Sequence, residues 1–348
     1  MDSHKKIRVL ICDDSALIRQ ILSAILSSEP DIEVVDTAEN AQDAREKIKK
    51  HNPDVLTLDI EMPGMDGLSF LEKIMTLRPM PVLMISSLTQ KGTTATMKAM
   101  ELGGFDVIGK PTHDLQGRFP ALKHQIVTKV RAASTANVSA LQFHKLKAAR
   151  SVKVESETID LIAMGASTGG VVALRELLPS LNKFSPPIVV TQHMPPGYTK
   201  NFAKRLDQHS VLTVTEAVDQ EPLKMGHVYI APGAHQMAVK KTAAGLKVDV
   251  YEGELVSGHM PSVDVLFSSV AELDNMNTMG VILTGMGRDG AEGLLKMRQK
   301  GAVTIGQDEA TSVVYGMPRM AAEVGAVSKQ LPLHQMVDFI TKVCWPND

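Results

Sequence analysis

The sequence predicts two α/β domains, each built on a largely parallel sheet, and three observations carry that expectation. A length of 348 residues corresponds to roughly two domains at about 150 residues each. Apolar runs of strand length alternate with segments whose apolar residues recur every three or four positions, the signature of buried strands joined by amphipathic helices. The alternation dissolves between Ala132 and Thr158 and then begins again. Residues 1–131 are therefore read as one domain, 132–158 as a linker and 159–348 as a second domain.

The elements follow in order. Ile7–Cys12 is a β-branched apolar run that ends at Asp13-Asp14. From Ser15, a capping residue, Leu17, Ile18, Ile21, Leu22, Ile25 and Leu26 mark the buried stripe of a helix. Strands at Ile32–Val35, Val55–Ile60, Val82–Ser86 and Phe105–Gly109 alternate with helices at Ala41–Lys50, Leu68–Leu77, Thr94–Leu102 and Ala121–Arg131. Five strands separated by helices imply a parallel sheet covered on both faces, with the strand C-termini along one edge. In the second domain strands are expected at Ile159–Met164, Ile188–Gln192, Val228–Ala231, Met237–Val239, Leu246–Tyr251, Met279–Thr284 and Ala302–Ile305. Helices are expected from Val171, over Thr199–Gln208 and Val263–Leu273, and from Gly290, which makes this domain doubly wound and mostly parallel.

Composition narrows the function. The 39 acidic and 37 basic residues nearly cancel, and no basic footprint for nucleic acid is present. A hydrophobic share of 44% with 22% charged residues excludes a wholly disordered chain. Cys12 and Cys344 stand at opposite ends, with neither metal-ligand nor disulfide spacing, which points to a reducing compartment. The start of the chain does not read as a signal peptide, and no stretch approaches the length of a membrane span. A cytoplasmic protein with no membrane insertion is expected. The basic residues Lys145, Lys147, Arg150 and Lys153 of the linker read as a solvated face.

In the first domain Asp13 and Asp14 follow the first strand and Asp59 ends the third, on one sheet edge. Taken singly each is an ordinary cap or turn residue. Together they are mutually repelling carboxylates that call for a cation, and an all-oxygen site of this charge suits Mg²⁺. Lys110, before Pro111, adds a positive group and Ser86 a hydroxyl at the same rim. One carboxylate beside a divalent cation and a lysine has the means to attack a phosphoryl group.

With Asp13-Asp14, the run Leu58-Asp59-Ile60-Glu61-Met62-Pro63-Gly64-Met65-Asp66-Gly67, Ser86 and Lys110-Pro111, the domain resembles the receiver domains of bacterial two-component signalling. The resemblance implies a five-stranded flavodoxin-like fold, with Asp59 as phosphoacceptor and a sensor histidine kinase as donor. It further implies Mg²⁺ held by Asp14, Asp59 and the Glu61 carbonyl with help from Asp13, and Ser86 with Lys110 as switch residues.

In the second domain Gly165-Ala166-Ser167-Thr168-Gly169 lies where a strand gives way to a helix. It fits the strand–turn–helix that presents a serine nucleophile, and equally a glycine-rich anion loop. A nucleophilic serine needs a base and an orienting group. His193 ends the next strand, whereas His209, His227, His235 and His259 lie in less defined surroundings. Asp289, in the turn Leu283–Gly290, is either the third member of a Ser-His-Asp site or the N-cap of the following helix. The chain order Ser167, His193, Asp289 differs from that of α/β-hydrolases, so a different fold is expected.

Gly165–Gly170, Thr191–Thr199 (TQHMPPGYT), Tyr229–Gly233 (YIAPG) and Leu283–Gly290 (LTGMGRDG) resemble the catalytic domain of the chemotaxis protein-glutamate methylesterases, and the likeness spans nearly the whole chain. It implies a phosphorylation-activated hydrolase with Ser167 as nucleophile, His193 as base and Asp289 as its orienter. The amide of Met286, with Thr168 nearby, is the implied oxyanion donor. The implied substrates are glutamate methyl esters and certain glutamines on cytoplasmic chemoreceptor segments, processed without a cofactor, with an unphosphorylated receiver blocking access. Two other classes stand beside this one. The output domain of a response regulator is in some cases a non-catalytic binding module and in many a DNA-binding domain, but no compact helix-turn-helix pattern closes this chain.

Overall fold

A computed structural model describes residues 5–86, 90–110, 115–142, 146 and 159–345. The chain divides into two compact units, Met1–Phe143 and His144–Asp348. In the first, β1 (Ile7–Cys12), β2 (Ile32–Ala38), β3 (Val55–Asp59), β4 (Val82–Ser86) and β5 (Asp106–Gly109) form a parallel sheet in the order β2-β1-β3-β4-β5. Helices α1 (Ala16–Ser27), α2 (Ala41–His51), α3 (Gly67–Leu77), α4 (Gln90–Glu101) and α5 (Leu115–Ser134) follow the strands. All of β3 and β4 is buried, which is why their sequences are largely apolar, with Thr57, Asp59 and Ser86 the buried polar exceptions.

Helix α1 starts where expected, with Ser15 Oγ accepting from the Ile18 amide at 3.4 Å. Its buried stripe is Ile18, Leu22, Ile25 and Leu26. Leu17, expected on that stripe, is 54% exposed, because one residue is a turn of about 100° around the helix. Residues 132–142, read from composition as linker, hold the last turn of α5 and a short 3₁₀ turn at Val138–Leu141. Ala133 and Leu141 are buried there and belong to the core of the unit. The remaining linker positions singled out, Lys145, Lys147, Arg150 and Lys153, lie outside the described residues, as does Pro111.

The second unit carries β6 (Leu161–Ala166), α6 (Gly170–Leu177), β7 (Ile188–Gln192), α7 (Tyr198–His209), β8 (Thr213–Glu216) and β9 (His227–Ile230). It continues through β10 (Gln236–Thr242), β11 (Gly245–Tyr251), α8 (Val263–Ala271), β12 (Thr278–Ile282), α9 (Ala291–Gln299), β13 (Val303–Gln307), α10 (Met317–Glu323), β14 (Lys329–Leu331) and α11 (Leu333–Cys344). Seven strands pair in parallel in the order β14-β13-β12-β6-β7-β9-β8, and β10 with β11 forms a separate antiparallel hairpin. β8, α10, β14 and α11 have no counterpart among the elements expected from the sequence. The two strands are three- and four-residue sheet edges, too short for alternation to register. Helix α11 does carry a readable stripe of Leu333, Met336, Val337, Ile340 and Cys344.

One apolar cluster positions the functional end of this unit. Leu266, Phe267 and Val270 of α8 pack with Leu161 and Ala163 of β6, Met237 and Val239 of β10, and Leu294 and Met297 of α9. Truncating a fully buried phenylalanine such as Phe267 costs about 3–5 kcal/mol, so the start of α8 is firmly held beside the sheet. Each sheet reverses its winding once, between β1 and β3 in the first unit and between β6 and β12 in the second. At such a switch point the connections leave in opposite directions and open a crevice outside the strand carboxyl ends.

Candidate functional site

The β1/β3 crevice of the first unit holds the acidic residues. Carboxylate oxygens of Asp13, Asp14 and Asp59 lie within 4.8 Å of one another. At an effective dielectric of about 20 each ionised pair at that range repels by roughly 3–4 kcal/mol. Asp13 and Asp59 are fully buried, while Asp14 is exposed. Lys110 Nζ donates to Asp59 Oδ2 at 2.7 Å and lies 3.7 Å from Asp13 Oδ2. The Glu61 amide donates to Asp59 Oδ1 at 3.2 Å and the Ser15 amide to Asp13 Oδ1 at 2.9 Å. Arg19 braces the loop from α1, donating to the carbonyls of Asp13 and Asp14. Burial and then the Asp59 charge lift the Asp13 carboxyl to about 6, against the pull of Lys110. Burial likewise raises Asp59 despite its lysine partner. Lys110 is raised: burial alone would lower it, but the Asp59 hydrogen bond and the surrounding carboxylates outweigh that. Ser86 Oγ accepts from Thr96 Oγ1 of α4 at 2.8 Å.

The β6/β12 crevice of the second unit brings Ser167, His193 and Asp289 to neighbouring strand ends. Ala166 pairs in register with Gln192, and the His193 amide donates to the Ala166 carbonyl at 3.1 Å. On the other side the Ser167 amide donates to the Thr284 carbonyl at 3.0 Å. Ser167 thus stands one step beyond the sheet, flanked by the His193 loop and the glycine turn that carries Met286 and Asp289. Gly169, with φ +81°, makes the sharp turn from serine to helix, and α6 begins at the next residue. Gly285 comes so close that a Cβ there would lie 2.8 Å from Ser167 Cβ.

His193 Nε2 donates to Asp289 Oδ2 at 2.7 Å. An ionised carboxylate only accepts, so this bond places the proton on Nε2 and leaves a lone pair on Nδ1. Nδ1 is buried and has no hydrogen-bond partner among the described residues. The Ser167 hydroxyl and Nδ1 are not joined by a hydrogen bond in this structure; such contacts commonly tighten only when substrate is bound. Asp289 is 1% exposed and does not cap α9, whose N-cap is Gly290. It instead accepts from the start of α8: Ser262 Oγ at 2.8 Å, the Val263 amide at 2.7 Å and the Asp264 amide at 3.0 Å. Burial alone would raise this carboxyl. The His193 hydrogen bond and charge, with the two amides, overcome burial and bring it down to about 2.

The turn is braced from behind. Thr284 Oγ1 donates to the Thr168 carbonyl at 2.9 Å, and Gln307 Oε1 accepts from the Thr284 amide at 2.8 Å. The Met286 amide donates to no described group.

His259, set among the less defined histidines by sequence, stacks on His193 with ring centroids 3.7 Å apart and planes 11° from parallel. Burial, then the His193 charge, hold its pKa down to about 4, against the opposing pull of Asp289. It lies three residues before the N-cap of α8, in a segment whose sequence carries no pattern that would place it against His193. Of the other three, His209 is exposed at the end of α7, His227 stacks on Tyr229, and His235 faces the Gly233 carbonyl. Gln192, the polar last residue of β7, is a further residue of this site that no sequence pattern singles out.

A switch-point acidic pocket with its lysine, joined in one chain to a serine beside a buried histidine–aspartate pair, defines a response regulator with a hydrolase domain. Comparison with known proteins agrees. The family models described as "Response regulator receiver domain" and "CheB methylesterase" match residues 9–117 and 162–340. The protein-glutamate methylesterase/protein-glutamine glutaminase of Salmonella typhimurium is 50% identical over 334 residues, 95% of each chain. That of Escherichia coli K12 is 50% identical over 336 residues, again 95% of each. Among solved structures, the catalytic domain of the Thermotoga maritima CheB methylesterase is 39% identical with a TM-score of 0.52, covering 53% of this chain and 98% of that one. The chain belongs to the protein-glutamate methylesterase/protein-glutamine glutaminase family, which replaces the binding-module and DNA-binding readings of its second domain. Among the described residues no helix is long and apolar enough to cross a membrane.

Proposed function

We propose that the second domain hydrolyses glutamate methyl esters, and deamidates glutamines, on cytoplasmic segments of chemoreceptors, with Ser167, His193 and Asp289 as the reacting group. The observation that carries this is the buried His193–Asp289 hydrogen bond of 2.7 Å one strand away from Ser167. Ser167 Oγ attacks the side-chain carbonyl while His193 Nδ1 takes its proton. Asp289 keeps Nε2 protonated and steadies the imidazolium that forms. The Met286 amide, with Thr168 beside it, receives the oxyanion. Collapse expels methanol, or ammonia from a glutamine, as His193 returns the proton to the leaving group. Water then attacks the acyl-enzyme with His193 again as base, releasing glutamate and free Ser167. No cofactor takes part.

The first domain, in this proposal, accepts a phosphoryl group on Asp59 from a sensor histidine kinase of chemotaxis. The donor set fits a hard divalent cation: three carboxylates converge, and Asp13 Oδ2 is buried without a hydrogen bond. Asp13, Asp14 and Asp59 with the Glu61 carbonyl would hold Mg²⁺, which when bound neutralises charge on the phosphoryl oxygens. Lys110 supplies a second positive group, and Ser86 leaves its Thr96 partner to follow the phosphoryl group. Phosphorylation raises esterase turnover. The decisive experiment is methanol release from methylated chemoreceptor by wild type, Ser167→Ala and Asp59→Ala, with and without a small-molecule phosphodonor. Release by Ser167→Ala would overturn the catalytic reading, and equal activation of wild type and Asp59→Ala would overturn the regulatory one.

A further inference from the structure

We infer that Gln192 is a positioning residue of the esterase site, its side-chain amide tying the Ser167 loop to the His193 loop. The inference rests on the reading of Ser167 as nucleophile and His193 as base. Gln192 closes β7 and is 2% exposed. Its Nε2 donates to the Ser167 carbonyl at 2.9 Å and to the His193 carbonyl at 3.2 Å. Both are main-chain acceptors, so only the NH₂ end of the amide satisfies them, and its orientation is fixed by chemistry.

The position of this link matters. The backbone ladder between β6 and β7 reaches the Ala166–Gln192 pair and the bond from the His193 amide to the Ala166 carbonyl. Beyond it the two strands part toward their loops, and the Gln192 amide is the next connection between them. It holds the main chain of the two residues whose side chains must exchange a proton. Gly170 is shaped around it. A Cβ on Gly170 would meet Gln192 Oε1 at 2.1 Å and Ala166 Cβ at 2.7 Å, so the first position of α6 is bare where the carboxamide passes. Oε1 itself is buried and accepts from no described group. A long polar side chain ordered in the interior costs entropy and desolvation, which an apolar residue here would avoid. The two carbonyl bonds are what it contributes.

Displacement of a reacting pair by about 1 Å costs on the order of 10²-fold in rate. The test uses the full chain with Gln192→Met, which keeps length and removes the donor, and Gln192→Glu, which keeps shape but only accepts when ionised. Four quantities are read: kcat and KM for methanol release from methylated chemoreceptor, the rate of labelling by a serine-directed fluorophosphonate, and the thermal midpoint. Gln192→Met is expected to lose about 10- to 100-fold in kcat with KM unchanged, labelling slowed in parallel and the midpoint little moved. The activity of Gln192→Glu relative to Gln192→Met should rise as pH falls, because the protonated carboxyl regains an O–H donor. Wild-type kcat in Gln192→Met would overturn the inference. So would a common fall of kcat, KM quality and thermal midpoint, or a pH-independent ratio of the two variants. Labelling that survives Ser167→Ala would instead remove the reading beneath it, whatever the Gln192 variants do.

Discussion

Replacing Asp289 by asparagine separates charge from shape at the most heavily hydrogen-bonded carboxylate of the site. Oδ1 accepts from Ser262 Oγ and the Asp264 amide, and Oδ2 from the Val263 amide and His193 Nε2. Asparagine offers one oxygen and one NH₂, so in either orientation a donor is turned against two donors. Facing the oxygen to His193 leaves the NH₂ against Ser262 and Asp264; the reverse expels the imidazole from its tautomer. A loss of about 10⁴-fold in kcat is expected, the scale set by the same exchange in other serine triads. The stability cost follows from the titration. Depression from 3.8 to about 2 corresponds to roughly 2 kcal/mol at neutral pH.

The sign is fixed by the direction of that shift. A depressed carboxyl stabilises the fold fully above its unfolded pKa of 3.8 and progressively less as pH falls through its folded value of about 2. The wild-type advantage over Asp289→Asn should therefore be worth about 4–8 °C of thermal midpoint near neutrality and shrink toward strongly acid pH. Methanol release and thermal unfolding across the pH range check both parts. A variant within tenfold of wild-type kcat would refute the orienting role, and a midpoint difference independent of pH would refute the electrostatic one.

Three further outcomes are expected. His259→Phe keeps the ring stack but removes a base held near 4, whose burial disfavours its charged form. The wild type should lose stability relative to this variant as pH falls from about 6.5 to 4, and parallel midpoint curves would count against that assignment. Lys110→Met removes the 2.7 Å partner of Asp59, so phosphodonor treatment should no longer raise turnover although basal hydrolysis stays intact; full activation of the variant would contradict the pocket described. Cys12 and Cys344 are both buried, and burial pushes the Cys12 thiol up to about 12. A chromogenic disulfide reagent should titrate neither cysteine in the native chain and both after unfolding, whereas rapid native reaction would show the β1 end to be open.

Legibility of the fold in the sequence depended on burial. Strands covered on both faces, such as β3, β4, β6 and β7, are mostly apolar, with their few polar residues toward the C-terminal end, and stand out in the sequence. The edge strands β8 and β14 carry no such run. The site divides in the same way. Ser167 and His193 directly follow the central strands β6 and β7, and Asp289 lies in the glycine turn between β12 and α9, so topology directs all three to one crevice. His259 arrives from the irregular segment before α8 and reaches His193 through tertiary packing, which no local pattern encodes. The partner of Asp289 was also hidden: its capping of α8, not α9, depends on how the Phe267 cluster seats α8 against β6 and β12.

The two crevices also show why buried aspartates at equivalent topological positions do opposite things. Asp13 and Asp289 are both essentially inaccessible to solvent, so desolvation pushes each carboxyl upward. Asp13 receives one amide and a lysine at 3.7 Å, and it faces other carboxylates; its pKa rises to about 6. Asp289 receives a hydroxyl, two amides from a helix N-terminus and an imidazole N–H, and it falls to about 2. Donor count, not depth, decides the sign. A carboxylate short of donors is poised to gain a cation, whereas one saturated with them is a permanent charge that holds an imidazole in one tautomer. The same switch-point geometry thus serves a pocket that changes state and a site that must not.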